Sequence, residues 1–416
     1  MYFMSGEQKV SKMDVVSVSF LVAGTCIGGG MLGLPVGSGM AGFIPSLLML
    51  FFCWAFMTIS GLLVLEVNLW MKEGSHIITM ASEMLGKWGK CAAWILYLFI
   101  GYASLVAYIA GGGEQIIEAL QSTSGVSLGK FCGCGVFVLL FGSIISFGGK
   151  FVGRVNTILF ISMVLAYILL IGVGGTKVKL SLLSYQNWGR SFISVPLFLT
   201  AFSFQTIVPS LTPTLKGNAR HLRAAIVSGT TIAFFVYLLW QSLVLGTMPL
   251  EGPYGLEKAF EQGVPATIFL RKAVQSPWLS IIAEFFAFFA LVTSFLGISL
   301  GLFDFLSDGL KIRKIAWGKI LLGVLVLAPS LFFSVSYSRI FMLAMETSGG
   351  FGDTILNGIM PVLMVWVGRY YRGMHSEYPC PGGKFLLIVV LLFYFFVFGL
   401  ESIEQISGAS IIQSAD

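Results

Sequence analysis

The chain has 416 residues, of which 56% are hydrophobic and only 11% charged. Soluble domains carry about 25% charged residues, so a soluble enzyme is excluded, and so is a disordered chain, which could not be this apolar. The formal net charge of +6 does not point to nucleic acid, because the basic residues lie between apolar runs rather than in one patch.

A bilayer span needs about 20 apolar residues. Runs of that order fall at 15–40, 43–69, 92–120, 131–147, 155–173, 192–211, 224–248, 278–303, 320–335, 354–368 and 385–400. They predict an all-α membrane protein of about eleven helices, forming a single polytopic domain over 1–416. The first run is too long for a signal-peptide core and lacks a small-residue cleavage site, so it is expected to remain as a span. The six cysteines read as small apolar residues of membrane helices.

Most Lys and Arg fall in alternate connections, among them Lys72, Lys87, Lys90, Arg220, Arg223, Lys311, Arg313, Arg369 and Arg372. The positive-inside rule then predicts a cytoplasmic N-terminus, and an odd number of helices puts the C-terminus in the periplasm. The 249–277 connection has Leu256, Ala259, Phe260 and Ile268 between Gly and Pro breaks. It reads either as short interfacial helices or as an ordinary surface loop.

The most informative stretch is Gly24-Thr-Cys-Ile-Gly-Gly-Gly-Met-Leu-Gly-Leu-Pro35 in helix 1. Gly28, Gly30 and Gly33 match G-x-G-x-x-G, but the dinucleotide reading needs a preceding strand and an acid about 20 positions on. Apolar text stands there instead: Phe51, Phe52, Cys53, Trp54. Two readings remain. Gly24/Gly28, Gly29/Gly33 and Gly33/Gly37 are G-x-x-x-G pairs that would let helices approach closely. Alternatively, the helix unwinds at Gly28–Gly30, since each mid-helix glycine costs about 1 kcal/mol relative to Ala. Unwound backbone at that depth must be buried or line a cavity. Its N–H groups and the next half-helix N-terminus can then hold a carboxylate.

A second break is predicted at Ala201-Phe-Ser-Phe-Gln-Thr-Ile-Val-Pro-Ser210 in helix 6. Breaks in helices 1 and 6 imply two five-helix repeats of opposite orientation, roughly 14–174 and 191–370, with an extra helix at 385–405. The site would lie between the breaks.

At these residues the chain resembles the hydroxy and aromatic amino-acid permease family, within the amino acid–polyamine–organocation superfamily. More narrowly, it is similar to bacterial tyrosine- and tryptophan-specific permeases. The likeness rests on the helix 1 motif, on Ala41-Gly-Phe-Ile-Pro45, on Ala107-Tyr-Ile-Ala-Gly-Gly-Gly113, and on Phe202-Ser-Phe with Val208-Pro-Ser210. It covers essentially the whole chain. The resemblance implies a LeuT-type inverted-repeat fold, ion-coupled amino-acid uptake and a bacterial inner-membrane location. Gln205 stands where the family's helix 6 motif has a histidine, and a glutamine cannot titrate.

Carried over by position, the substrate carboxylate meets backbone N–H groups at Gly28, Gly29 and Gly30, with Thr25 nearby. The ammonium meets carbonyls at Ala23 and Phe202. Tyr102, Tyr108, Phe204, Gln205 and Phe288 are candidates for an aromatic-lined pocket, although lipid-facing or packing duty competes for each. Glu284 is the only charged residue in 278–303. An ionisable residue inside a span is a functional hypothesis by default, so Glu284 is the candidate protonation site, or else faces an aqueous vestibule. Glu66, Glu114 and Glu118 lie near helix ends, where solvation explains them.

Thr293 and Ser294 lie at the middle of helix 8. In sodium-coupled members of this fold a helix 8 hydroxyl pair helps hold Na⁺, and oxygen ligands suit a hard cation. The same hydroxyls could bond the preceding turn. The expected function is therefore import of tyrosine or tryptophan by alternating access, coupled to protons or alternatively to sodium, with no cofactor, no enzymatic reaction and no nucleic-acid partner. A serine or threonine permease on the same scaffold, and a non-transporting helical membrane protein, are the alternatives.

Overall fold

Apolar side chains around whole helices leave the backbone only one way to satisfy its polar groups away from water, which is within each helix. A computed structural model describes residues 10–413 apart from 73–74, 126–127, 146, 148, 274–275, 338 and 376–378. Residues 1–9 and 414–416 of the expected domain thus lie outside the described residues. Among the described residues there is no sheet, only an isolated bridge between Gly42 and Gln186.

Among the described residues, nine helices are long and apolar enough to cross a bilayer, and the bent pair Lys12–Cys26 and Gly29–Gly39 makes a tenth. The pair turns by 49° at its break. Helix 2 is Phe43–Trp70, helix 3 lies within Ile77–Ser124, and the shorter apolar helix Lys130–Ile145 is helix 4. Helix 5 is Gly149–Gly174, and helix 6 is split into Val195–Ala201 and Val208–Leu211. Helices 7, 8 and 9 are Ala219–Thr247, Pro277–Gly309 and Ala316–Ser336. Helix 10 is Ile340–Tyr371 and helix 11 is Gly383–Gln413. The protein is thus a multi-pass membrane protein.

Two elements depart from the simple pattern of apolar runs. Helix 10 starts at Ile340, fourteen positions before the run at 354, because its Gly-rich, polar middle is wound into the protein interior. Ser348–Ile359 there forms wide π-type turns. The segment before helix 3 is itself helical from Ile77 and turns at Gly86, whose φ of 72° suits glycine. Its Ile77, Met80, Ala81 and Met84 are buried, which is the spacing of one helix face. In the connection between helices 7 and 8, Leu256–Gln262 and Ala266–Ala273 form two short helices.

Large apolar side chains stay exposed along helices 4, 5 and 11, including Leu139, Ile158, Leu165, Ile168, Leu392 and Phe395. Such continuous apolar flanks suit lipid rather than water. The interior is formed by helices 1, 2, 3, 6, 7, 8 and 10, and it encloses both breaks.

Candidate functional site

Helix 1 stops at Cys26. Ile27 (φ −78°, ψ 103°) and Gly28 (φ −163°, ψ −158°) are extended, and one short turn follows at Gly29–Leu32. The second half begins at Leu34, with Pro35 in its first turn, where a missing N–H costs nothing. The glycines admit three neighbours. A Cβ on Gly28 would sit 2.3 Å from Ser294 Oγ, and one on Gly29 would sit 2.9 Å from the Tyr108 ring. A Cβ on Gly30 would meet Met345 Cε at 2.9 Å. Helices 8, 3 and 10 thus close directly on the unwound backbone. The Gly29 amide donates to Ser294 Oγ at 2.8 Å.

Helix 6 breaks in the same manner. Phe202 (φ −94°, ψ 18°) and Phe204 (φ −132°, ψ −6°) leave the helical range, and Pro209 lies in the first turn of the second half. Gln205 is fully buried and ties this break to helix 2. Its Nε2 donates to the Met57 carbonyl (3.0 Å), and its Oε1 accepts from the Phe204 amide (2.9 Å).

Helix 7 joins the two breaks. The Tyr237 hydroxyl reaches the carbonyl oxygens of Cys26 (2.6 Å) and Ala201 (2.8 Å), the last residues of the two first halves. One turn on, Trp240 Nε1 donates to the Met31 carbonyl at 2.9 Å. The half-helix ends that would otherwise be orphaned therefore find partners.

The chain of contacts continues to helix 10. Asp353 is fully buried in the wide turns. Its Oδ1 accepts from Ser203 Oγ (2.5 Å), in the helix 6 break, and from Asn357 Nδ2 (2.6 Å). The Ser60 hydroxyl of helix 2 donates to the Asn357 carbonyl. Asp353 Oδ2 has no hydrogen-bond partner among the described residues. The neighbouring Thr200 hydroxyl donates to the Met345 carbonyl instead (2.7 Å).

The residues singled out from the sequence fall into three groups. Gly28, Gly29, Gly30, Tyr108 and Ser294 come together at the helix 1 break. Phe202 and Phe204 are buried at the helix 6 break, but their rings pack outward from it, onto Tyr237 (centroids 5.0 Å apart) and against Gly61. The rest lie elsewhere or keep their local bonds. The Ala23 carbonyl still accepts from the Ile27 amide (2.8 Å), and exposed Thr25 donates to the Leu21 carbonyl (2.8 Å). Tyr102 donates to the Leu325 carbonyl of helix 9, and Phe288 packs on Phe141 and Phe289. Thr293 bonds back to Phe289 and Ala290 of its own helix. Glu284 faces Arg271 at 3.4 Å, and Arg271 is also 3.7 Å from Glu118.

Asp353, Asn357, Tyr237 and Met345 were not among the residues singled out. A signal existed for the first. Asp353 is an acid with apolar runs on both sides, from Ile340 to Ala344 and from Ile355 onward, close enough together to make one span.

Breaks in helices 1 and 6, facing each other inside a bundle of this order, define a LeuT-type transporter fold. The structure of MhsT in complex with L-phenylalanine is similar, with a TM-score of 0.58 and 14% identity, covering 94% of this chain and 99% of that one. The chain belongs to the tryptophan/tyrosine permease family, whose model matches residues 11–401. Tyrosine-specific transport system 1 of Haemophilus influenzae is 32% identical over 382 residues, 91% of this chain and 94% of that protein. The tryptophan-specific transport protein of the same organism is 32% identical over 407 residues, 94% and 95% of the two chains.

Proposed function

We propose that the protein imports tyrosine, tryptophan or both across a bacterial inner membrane by alternating access, driven by protons. The observation that carries this reading is the pair of unwound segments held face to face by the Tyr237 hydroxyl. Unwound backbone at that depth presents amides and carbonyls to a zwitterion. In this reading the substrate carboxylate lies at Gly28–Gly30 and the aromatic ring lies beside Tyr108. The family and its tyrosine- and tryptophan-specific relatives support the substrate class.

The end of the bundle where helix 1 begins is cytoplasmic in this reading, by the distribution of Lys and Arg. Lipid covers the exposed apolar flanks. Protons are preferred to sodium because a hard cation needs several converging oxygens, and Thr293 turns its hydroxyl back onto its own helix.

Right-side-out vesicles test the reading. Tyrosine uptake should rise above equilibrium under an inward proton gradient, compete with tryptophan and collapse with a protonophore. Competition by serine or threonine alone would replace the substrate class. Loss of accumulation only on sodium removal would replace the coupling ion. No accumulation of any amino acid under any ion gradient would defeat the carrier reading.

A further inference from the structure

We propose that Asp353 is the carboxyl that carries the coupled proton. The proposal rests on the reading of proton-driven uptake given above.

A carboxyl buried at the depth of a helix break is expensive as an anion unless something matches its charge. No Lys or Arg pairs with Asp353 among the described residues. Its Oδ1 is held by two neutral donors, Ser203 and Asn357, and its Oδ2 is without a bond. Oδ2 is the oxygen left to take a proton. The neutral acid carries an O–H on Oδ2, for which the neighbouring Thr200 hydroxyl oxygen is the acceptor at hand, whereas the anion depends on its donors staying in place.

One of those donors lies in the helix 6 break. Ser203 belongs to the unwound segment of helix 6, which the substrate must contact, while Asp353 belongs to the wide turns of helix 10. Withdrawing Ser203 raises the cost of the anion and leaves the acid little changed. Proton binding and substrate binding then alter each other's affinity by the same factor, as linkage requires.

Among the described residues, no basic or acidic side chain is hydrogen-bonded or ion-paired to Asp353. Helices 2 and 6 present only uncharged Ser60, Thr200 and Ser203 to this region. Helix 3 contributes the Tyr108 phenol and helix 11 the Tyr394 phenol. Two more buried acids lie towards the end of the bundle remote from Lys12. Glu401 of helix 11 packs where a Cβ on Gly350 would meet it at 2.4 Å, and Glu346 precedes Asp353 by seven positions on helix 10. Arg339 stands near Glu346 and Glu404. Among the described residues, Glu346 Oε1 has no hydrogen-bond partner and Glu401 Oε1 accepts from Gln405 of its own helix (2.9 Å), so neither is bonded to the helix 6 break there.

Proteoliposomes holding the full chain decide the matter. Labelled tyrosine is followed in exchange without a gradient and in accumulation under an inward proton gradient. In Asp353→Asn, exchange should persist while the accumulation ratio falls to about one, the value for an uncoupled carrier. The alkalinisation of the medium that accompanies tyrosine entry should vanish with it. Glu346→Gln, Glu401→Gln and Glu284→Gln should each still accumulate tyrosine.

Accumulation by Asp353→Asn equal to the wild type would overturn the assignment, as would uncoupling by one of the three glutamine variants instead. Loss of exchange in a folded Asp353→Asn would mean that Asp353 holds the substrate ammonium, which also overturns it. If Asp353→Asn fails to insert, Ser203→Ala decides. A displaced pH midpoint of driven uptake is expected, and an equal fall at every pH counts against the proposal. A wild type that gains nothing from a proton gradient fells the functional reading itself, and is distinguished by needing no variant.

Discussion

The hydroxyl of Tyr237 lies 2.6 Å from the carbonyl oxygen of Cys26, at the point where helix 1 stops being a helix. The same hydroxyl is 2.8 Å from the Ala201 carbonyl, where helix 6 stops. Tyr237→Phe removes only that oxygen, and with it the one proton that the two buried carbonyls share. The expected loss is about 1–3 kcal/mol. Thermal unfolding in detergent, with and without tyrosine, checks it, and tyrosine exchange should slow in parallel.

The glycine trio sets a steric test. Gly29→Leu should insert normally and fail to transport, because even a Cβ there comes within 2.9 Å of the Tyr108 ring. Gly28→Ala should fail as well, against Ser294 Oγ. Adding Ser294→Gly to Gly28→Ala restores the space and should recover part of the uptake. Surface quantity and initial uptake rate, measured together, check all three. Full activity of Gly29→Leu would remove the reason for placing the substrate at this break.

At the end of the bundle where helix 1 begins, Glu66 and Arg369 form a two-pronged ion pair. Arg369 Nε and Nη2 donate to the two Glu66 carboxylate oxygens at 2.7 and 2.6 Å. The Cys380 amide adds a third bond to Glu66 (2.8 Å), and Arg369 reaches the Cys380 carbonyl (3.0 Å). Glu66 is only 2% exposed. Arg369→Ala strands a buried charge and should cost about 3–5 kcal/mol. Glu66→Gln with Arg369→Met should be milder than Arg369→Ala alone, a pattern read from unfolding temperatures in a double-mutant cycle.

Glu284 behaves differently because it is a third exposed and faces Arg271 at 3.4 Å. Partly solvated pairs of this kind contribute about 0–1 kcal/mol. Glu284→Gln should leave thermal stability nearly unchanged. The measurement is the unfolding midpoint, and a fall comparable to that of Arg369→Ala would refute this ranking of the two pairs.

The breaks were legible from the chain because their causes are local. Gly28–Gly30 withdraw side chains from a span, while Pro35 and Pro209 start the next half-helix. Asp353 was not legible in the same way. Its stretch, Ser348 to Asp353, holds three glycines and no strong run of apolar side chains, so hydropathy places the start of helix 10 at 354. The structure buries that stretch against helices 6 and 11, where polar residues face protein rather than lipid. Hydropathy measures fitness for lipid and says little about a helix that meets almost none. Ring direction was also out of reach. Phe202 and Phe204 stand at the break in sequence, yet tertiary packing turns both rings towards helices 7 and 2.

Helix 7 also grips Met31 through Trp240 and Ser38 through Gln241, so both pieces of the first span are fastened to one post. Ser294 and Tyr108 belong to helices 8 and 3 and close on the first span at Gly28 and Gly29. The 2.8 Å bond from the Gly29 amide to Ser294 Oγ is where helix 8 is pinned to the broken span. A substitution at Ser294 would therefore reach the unwound backbone without touching helix 7.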